Sequence, residues 1–355
     1  RSLKLKKRIL VAPLDWGIGH ASRCIPVINA LIKEGHDVVI AADNRPLHLL
    51  KNEFPKLLAI RFAGVHISYS KFLPMSISMI LQLPKLFYGI KKENNLLKHI
   101  INEYSIDAVI SDNRYGLYNN NIPSIFITHQ INIQSHILQK YIRKINYNLI
   151  NKFSQCWILD DSKNTLSGIL SKQKYQLTNS KYIGPLSRLE KFQSTIKYEF
   201  MGLISGPEPQ RTILEKGLIN AFLKRKEKSL IVLGKPELNF KKTKNNITIV
   251  SHMKATDLNK AMLQSRLIIC RPGYSSIMDL AKLNKKAFFI PTPGQTEQEY
   301  LGKYFLNQRI CYMQQQKNFD FELALKNNKN FSGFKDIVFN TVKWKQLFKI
   351  FNNEN

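Results

Sequence analysis

Short apolar runs alternate with longer amphipathic segments along most of the chain. Residues 9–12, 108–110, 267–270 and 287–290 are apolar throughout, which is typical of strands buried on both faces of a parallel sheet. Each run is followed by a loop containing Gly, Pro or polar residues and then, in most cases, by a helical segment. The alternation predicts an α/β protein built from doubly wound parallel sheets.

The alternation is interrupted once, by the polar stretch 185–198, and then begins again. We therefore predict two Rossmann-like domains, 1–184 and 199–334, with residues 185–198 as the linker and a cleft between the domains. The apolar spacing in residues 335–355 predicts a closing amphipathic helix that packs back on the N-terminal domain.

A glycine loop follows the first predicted strand. Gly17 and Gly19 allow a ligand to approach the backbone, and the helix behind them places partial positive charge at the same point. The spacing differs from the GxGxxG of dinucleotide-binding enzymes, so a dehydrogenase is disfavoured. A purely structural turn is the simpler alternative at this position.

Residues 267–302 hold two further junctions between a strand and a helix. One passes through Arg271 and Gly273 into a helix whose first turn carries Ser275 and Ser276, and the other passes through residues 291–295. Loops at the carboxyl ends of parallel strands face the ligand crevice, and helix N-termini there attract anions. The pattern predicts a ligand that contains a diphosphate and a sugar.

The balance of charge is strongly basic. The chain of 355 residues has 54 Lys and Arg against 25 Asp and Glu, a formal net charge of +29. Such a charge favours nucleic acid, an anionic membrane or phosphorylated substrates without choosing among them, and a compositional bias explains it equally well. The basic stretches lack the interleaved aromatic residues and motifs of RNA-binding modules, so we expect no specific nucleic-acid partner.

Residues 72–90 form an apolar stretch interrupted by Pro74 and Pro84 and followed by Lys91, Lys92 and Lys98. The stretch is too broken to span a membrane, but residues 72–98 are typical of an interfacial patch on an anionic membrane; a buried helix pair is the alternative. The four cysteines are widely spaced and indicate neither a disulfide framework nor a zinc site. With no apolar signal segment at the start, we expect a cytoplasmic protein, peripheral on the inner face of the membrane if the patch binds lipid.

Several motifs occur in the order of a known family. They are Gly17-Ile18-Gly19-His20, Gly184-Pro185-Leu186-Ser187-Arg188, Ser205-Gly206, Arg271-Pro272-Gly273-Tyr274-Ser275-Ser276, and Pro291-Thr292-Pro293-Gly294 leading to Gln298. Over essentially its full length the chain resembles the GT-B glycosyltransferases. It is most similar to the family 28 type, which includes the peptidoglycan lipid-intermediate N-acetylglucosaminyltransferase.

The resemblance implies a nucleotide-sugar donor, such as UDP-N-acetylglucosamine, held mainly by the second domain. Asp279 would accept hydrogen bonds from the ribose hydroxyls. The diphosphate would lie near Ser275, Ser276, Arg188 and Arg271. Gln298 and its neighbours would hold the sugar. The residues expected to bind the donor are Gly17, Gly19, Arg188, Ser205, Gly206, Arg271, Gly273, Ser275, Ser276, Asp279, Gln295, Glu297 and Gln298.

The resemblance also implies inverting transfer to an acceptor hydroxyl, with neither a metal nor a cofactor. His20 is the expected general base because an imidazole titrates near neutral pH, and Asp15 and Asp112 are the alternates. The acceptor is left open and includes the lipid-linked kind.

Three departures from the family pattern bear on the acceptor and the donor phosphates, and one of them is the acceptor-side segment Thr128-His129-Gln130, which only partly matches. The first loop has fewer glycines than the peptidoglycan enzyme, and residues 205–209 read Ser-Gly-Pro-Glu-Pro, where two prolines remove N–H donors. We therefore expect a relative with a different acceptor. The alternatives are a nucleotide-sugar epimerase of the same architecture and, less favoured, a basic nucleic-acid-binding protein.

Overall fold

The computed structural model of the chain describes residues 6–15, 17–64, 83–133, 139–163, 165–174, 177–338 and 341–352. These residues divide into two compact units. The first unit takes the described parts of 1–16, 20–185 and 340–355, and the second takes 17–19 and the described parts of 186–339. The chain therefore passes between the units next to Pro185.

The first unit is a parallel sheet of seven strands in the order β3-β2-β1-β4-β5-β6-β7. Its strands are β1 (Arg8–Pro13), β2 (Asp37–Ala42), β3 (Leu58–Arg61), β4 (Ala108–Asp112), β5 (Ser124–Thr128), β6 (Gln155–Ile158) and β7 (Ser180–Tyr182). The accompanying helices are α1 (Ile18–Lys33), α2 (Asn44–Glu53), α3 (Leu83–Tyr104) and α4 (Gln139–Ile150). The central strands β1, β4 and β5 are almost wholly buried, as their apolar runs predict.

The second unit repeats this architecture in the order β10-β11-β9-β8-β12-β13-β14. Its strands are β8 (Tyr198–Leu203), β9 (Ser229–Val232), β10 (Lys241–Lys244), β11 (Ile247–Val250), β12 (Ser265–Cys270), β13 (Lys286–Phe289) and β14 (Tyr312–Met313). The helices are α5 (Gln210–Leu223), α6 (Ala255–Leu263), α7 (Tyr274–Lys282), α8 (Thr296–Asn307) and α9 (Phe321–Asn328). Apart from the antiparallel pair β10–β11, the recorded strand pairs of this sheet are parallel.

The fold class predicted from the alternation is confirmed, because both units are doubly wound parallel sheets. Each sheet changes winding direction at one place, between β1 and β4 in the first unit and between β8 and β12 in the second. The loops after these two strands leave on opposite sides, which opens a crevice at the carboxyl ends of the strands. Both switch points coincide with loops that the sequence singles out.

The structure differs from the sequence prediction in several elements. Helix α3 contains residues 83–98 of the predicted interfacial patch, and the rest of the patch lies outside the described residues. Strand β10 was not predicted because its four residues, Lys241–Lys244, are all exposed and carry no apolar signal. Helix α4 was also missed, although Ile142, Ile145, Leu149 and Ile150 recur at helical spacing.

The C-terminal segment is shorter as a helix than predicted. Only α10 (Trp344–Leu347) and the 3₁₀ turn Phe348–Asn352 are helical in the described part of residues 335–355. Residues 341–352 belong to the first unit, where the rings of Phe348 and Phe351 each lie 6.0 Å, centroid to centroid, from His36. The described part of the chain contains no helix long and apolar enough to cross a bilayer.

Candidate active site

The switch point of the first unit carries a buried charged cluster. His20 and Arg23 lie one turn apart on α1 and therefore share a face of the helix. Asp112, the last residue of β4, is completely buried, and its two carboxylate oxygens accept hydrogen bonds from Nε (2.7 Å) and Nη2 of Arg23. His20 Nδ1 lies 2.7 Å from Arg23 Nη2 and 3.3 Å from Asp112 Oδ2. One carboxylate and one guanidinium therefore position the histidine.

The protonation of this cluster follows from its partners. Burial alone would favour the neutral acid, but Arg23 and His20 outweigh it and lower the pKa of Asp112 to about 2. Burial, followed by the charge of Arg23, lowers the pKa of His20 below its ordinary value. Asp112 is thus a firmly ionised partner of Arg23, which makes it a poor proton acceptor, and His20 is held neutral.

Asp15 stands in the loop after β1 and has a different environment. Its Oδ2 accepts the backbone N–H of Gly64 at 3.0 Å, which fixes the carboxylate. Its Oδ1 is buried and has no hydrogen-bond partner within the described part of the chain. One oxygen of Asp15 is therefore pinned while the other is available to a hydroxyl group.

In the second unit, Arg271 joins the loops around the switch point. Its side chain is fully buried, and Nη1 donates to the carbonyls of Ile290 (2.9 Å) and Pro291 (3.0 Å), while Nη2 donates to the carbonyl of Gln210 (2.9 Å) and to Oε1 of Gln316. Burial lowers its pKa to about 10. With both terminal nitrogens bonded within the protein, Arg271 fixes the loops and has only Nε left for a ligand.

Gly206 and Thr292 approach one another beside that Nε atom. Gly206 follows β8 with φ of +106°, a conformation that favours glycine, and a Cβ there would lie 3.3 Å from Thr292 Oγ1 and 3.9 Å from Arg271 Nε. Among the residues that the structure describes, neither Thr292 Oγ1 nor Arg271 Nε has a hydrogen-bond partner, although both are buried. Buried polar atoms normally have partners, so these two indicate a polar ligand at this point.

Asp279 lies on α7, one turn beyond the loop that follows β12. Its carboxylate is buried, and Oδ1 accepts the hydroxyl of Ser187 at 2.6 Å. Burial raises its pKa to about 6, against the opposing effects of Arg188 and the Ser187 bond. Asp279 is thus a carboxylate kept in an environment that disfavours its charge, as is frequent at functional sites.

The N-termini of helices α7 and α8 differ in charge. Helix α7 starts after Gly273 with no acidic residue in its first turn, and a Cβ on Gly273 would meet nothing within 4 Å. Helix α8 carries Glu297 and Glu299 in its first turn, and Glu299 accepts the N–H of Gly294 at 3.0 Å. The N-terminus of α7 therefore suits a phosphate, whereas that of α8 suits hydroxyl groups.

The remaining predicted donor residues lie around these loops. Gln298 is buried, and its Oε1 accepts the N–H of Thr292 at 2.8 Å, so it supports the loop from within. The Ser275 hydroxyl donates to the carbonyl of Gly19 at 2.8 Å, which explains why residues 17–19 group with the second unit. The partly buried members are Gly17, Arg188, Ser205, Ser276, Gln295 and Glu297.

Three residues of the two sites were not singled out for them from the sequence. Arg23 completes the cluster of the first unit, and His129, just after β5, lies with Nδ1 3.1 Å from Arg23 Nη1. His252 follows β11; its Nε2 is buried without a partner in the described residues, and burial and then Arg188 lower its pKa to about 4. The signal was available for both histidines, since each stands within two residues of the carboxyl end of a strand.

The four cysteines are buried free thiols. The described residues contain no group of three or more His, Cys, Asp or Glu side chains placed to hold a metal ion.

Two family models match the chain. The glycosyltransferase family 28 C-terminal domain matches residues 215–329, and glycosyl transferase family 1 matches residues 7–155. The two matched segments fall in the second and the first unit respectively, so each unit carries its own match. No protein of curated function is significantly similar in sequence.

Solved structures of glycosyltransferases share the fold over nearly the full length. Acinetobacter baumannii MurG is 14% identical with a TM-score of 0.56, covering 98% of this chain and 100% of its own. CalG4, the calicheamicin glycosyltransferase, is 10% identical with a TM-score of 0.62, covering 98% of this chain and 95% of its own. Arabidopsis thaliana UGT89C1, complexed with UDP-L-rhamnose, is 11% identical with a TM-score of 0.59, covering 99% of this chain and 94% of its own.

The family 28 match lies on the unit that holds Asp279 and the loops after β12 and β13, and the matched folds are those of GT-B enzymes. The resemblance inferred from the sequence motifs is thereby confirmed. The chain is a glycosyltransferase of the GT-B fold, and its second unit is of the family 28 type.

Proposed function

We propose that this glycosyltransferase moves a sugar from a nucleotide-sugar donor, a UDP-sugar such as UDP-N-acetylglucosamine, to an acceptor hydroxyl by inverting displacement without a metal. The observation that carries the proposal is the set of loops in the second unit, where Asp279 is buried and where Thr292 Oγ1 and Arg271 Nε lack partners in the described chain. A ligand that presents hydroxyl and phosphate oxygens would satisfy all three.

The proposed donor pose follows the charges of the loops. The ribose hydroxyls donate to the Asp279 carboxylate, whose Oδ1 is already held by Ser187. The diphosphate lies at the N-terminus of α7, near Ser275, Ser276 and the positive charge of Arg188. The sugar hydroxyls lie near Gln295 and Glu297, where acidic side chains accept hydrogen bonds.

In the proposed reaction, the acceptor oxygen forms a bond to the anomeric carbon as the bond from that carbon to the diphosphate oxygen breaks. The leaving diphosphate retains the electron pair and is stabilised by the α7 N-terminus and Arg188. Asp15 takes the acceptor proton. The Oδ1 atom of Asp15 has no hydrogen-bond donor in the described chain, so it can accept this proton. The alternatives are less suitable, because Asp112 is ion-paired with Arg23 and His20 Nδ1 lies 2.7 Å from the same guanidinium.

We also propose that the acceptor is presented at an anionic membrane surface. The first half of α3 exposes Phe87 and Tyr88 next to the exposed Lys85, Lys91 and Lys92. Aromatic side chains beside lysines are typical of interfacial binding to anionic lipid. The expected result is co-flotation with vesicles that contain phosphatidylglycerol. The double variant Phe87→Ser with Tyr88→Ser should weaken it, while Leu323→Ser, which removes an apolar side chain on α9 about as exposed as Phe87, should leave it unchanged.

The proposed activity is tested with a panel of UDP-, GDP- and TDP-sugars, first by thermal shift and then by release of nucleoside diphosphate with lipid extract as acceptor. We expect stabilisation by UDP-sugars and acceptor-dependent release. Asp15→Asn should lower the rate by a factor of about 10²–10⁴ without losing donor binding, while Asp43→Asn, a buried acid after β2, should keep both. Conversion of the donor sugar without any acceptor would instead indicate the epimerase.

A further inference from the structure

We propose that Arg23 is a positioning residue that fixes which ring nitrogen of His20 carries the proton, so that His20 acts as a hydrogen-bond donor through Nε2. The inference rests on the proposed function only for its catalytic meaning. The arrangement of protons is a property of the protein without any substrate.

Inside the first unit, the guanidinium of Arg23 contacts Asp112, His20 and His129. Nε and Nη2 bond the two oxygens of Asp112, Nη2 also lies 2.7 Å from His20 Nδ1, and Nη1 lies 3.1 Å from His129 Nδ1. Arg23 and Asp112 are both buried. A guanidinium is always protonated and has no acceptor, so each of these contacts has Arg23 as the donor.

The tautomer of His20 follows from the shorter of its two contacts. A proton on Nδ1 would point at the N–H of Arg23 across 2.7 Å, which two donors do not tolerate. The competing bond, from Nδ1 to Asp112 Oδ2, is longer at 3.3 Å. Nδ1 is therefore the acceptor, and the proton of the neutral ring is on Nε2.

The same reasoning applies to His129. Its Nδ1 faces Arg23 Nη1 at 3.1 Å and accepts from it, so its proton is also on Nε2. One arginine thus orients two imidazoles that come from α1 and from the residue after β5. Lysine could not replace it, because an ammonium lacks the planar fork that bonds Asp112 and both rings together.

The charged and titratable groups that face His20 agree with this assignment. They are Arg23 on α1, Asp112 on β4 and His129 after β5. Burial and then Arg23 lower the pKa of His20, against the smaller effect of Asp112, so the imidazolium form is disfavoured. A neutral ring with Nε2–H can stabilise a developing negative charge on oxygen. It cannot take a proton on Nε2, which leaves that step to Asp15.

The test is a long-range ¹H–¹⁵N correlation spectrum of the full-length protein labelled in its histidine rings. The signals are assigned by their loss in His20→Gln and His129→Gln. We expect Nδ1 of both rings at the shift of an unprotonated nitrogen and Nε2 at that of a protonated one, and we expect His20 to become an imidazolium only at a lower pH than an ordinary imidazole does.

Arg23→Lys should shift the His20 proton to Nδ1, where Asp112 accepts it, and so exchange the two nitrogen shifts. Arg114→Lys alters another buried arginine of the first unit, one that pairs with Glu93 at 2.8 Å, and should leave the His20 pattern unchanged. A wild-type spectrum with the proton on Nδ1 of His20 overturns the inference, even if Arg23→Lys does not fold. The spectrum needs no donor, so its outcome is independent of whether sugar transfer is detected.

Discussion

The two switch points of this protein carry polar clusters that are satisfied in different ways. In the first unit, both oxygens of Asp112 are bonded to Arg23, and the pKa of Asp112 is lowered to about 2. In the second unit, the pKa of Asp279 is raised to about 6, and Thr292 Oγ1 and His252 Nε2 are buried without partners in the described residues. The carboxylate of the first cluster is satisfied within the protein, whereas the second cluster has buried polar groups that a ligand would satisfy.

The difference suggests a division of roles between the units. Removing one partner of a buried carboxylate–arginine pair leaves an uncompensated charge in the interior, so such a pair is sensitive to substitution. A buried carboxylate whose pKa is raised destabilises the fold at neutral pH, as expected of a group retained for binding. We therefore expect substitutions at the first cluster to affect stability, and those at the second to affect donor binding.

The largest predicted effect is that of Asp112→Asn. It leaves the guanidinium of Arg23 buried without a counter-charge, which should lower the free energy of unfolding by about 3–5 kcal/mol. Glu208→Gln is the matched control, since it removes a half-exposed carboxylate from the buried Arg211, which keeps Glu215, and should cost under about 1 kcal/mol. Urea denaturation measures both, and equal effects would contradict the distinction between the two sites.

Asp279→Asn should instead raise the free energy of unfolding at pH 8. Because the folded-state pKa of Asp279 is raised to about 6, its protonation favours folding at low pH, and this contribution is lost as pH rises from about 4 through 6. Asparagine avoids the charge, so at pH 8 the variant should be more stable than the wild type by up to about 3 kcal/mol, with little difference below pH 4. It should also lose affinity for the donor. A variant that is less stable at pH 8 would contradict this account.

Gly206→Ala should give a smaller effect on stability. A side chain at φ of +106° is strained, and its Cβ would lie 3.3 Å from Thr292 Oγ1, so we expect a loss of about 1–3 kcal/mol together with weaker donor binding. Gly35→Ala, also at positive φ but with nothing within 4 Å of the new Cβ, is the control for strain alone. If both variants bind the donor as the wild type does, the loop after β8 is not part of the site.

Much of the fold could be predicted from the sequence because several strands contain a buried run of three or four consecutive apolar residues. β1, β4, β12 and β13 are of this kind. β10 could not be predicted in this way, since an exposed edge strand of Lys and Thr carries no hydrophobic signal, and its pairing with β11 is a tertiary contact.

The candidate site also has a part that could be predicted from the sequence and a part that could not. Asp112 was a candidate because it follows an apolar strand, and Asp279 was a candidate because of the family resemblance. The dominant partner of Asp112 is Arg23, 89 residues away in sequence, and that pairing was not visible in any local pattern. The prediction of His20 as the base rested on the ordinary pKa of imidazole. The structure adds Arg23 at 2.7 Å from Nδ1, a contact that decides the tautomer and that only the fold creates.

The most direct test of the account is amide hydrogen exchange of the full chain with and without saturating UDP-N-acetylglucosamine, followed by other UDP-, GDP- and TDP-sugars. The account predicts donor-dependent protection in residues 204–210, 271–276 and 291–298 of the second unit, reduced in Asp279→Asn. Protection restricted to the first unit, or none with any nucleotide sugar, would contradict the assignment of the second unit as the donor-binding unit.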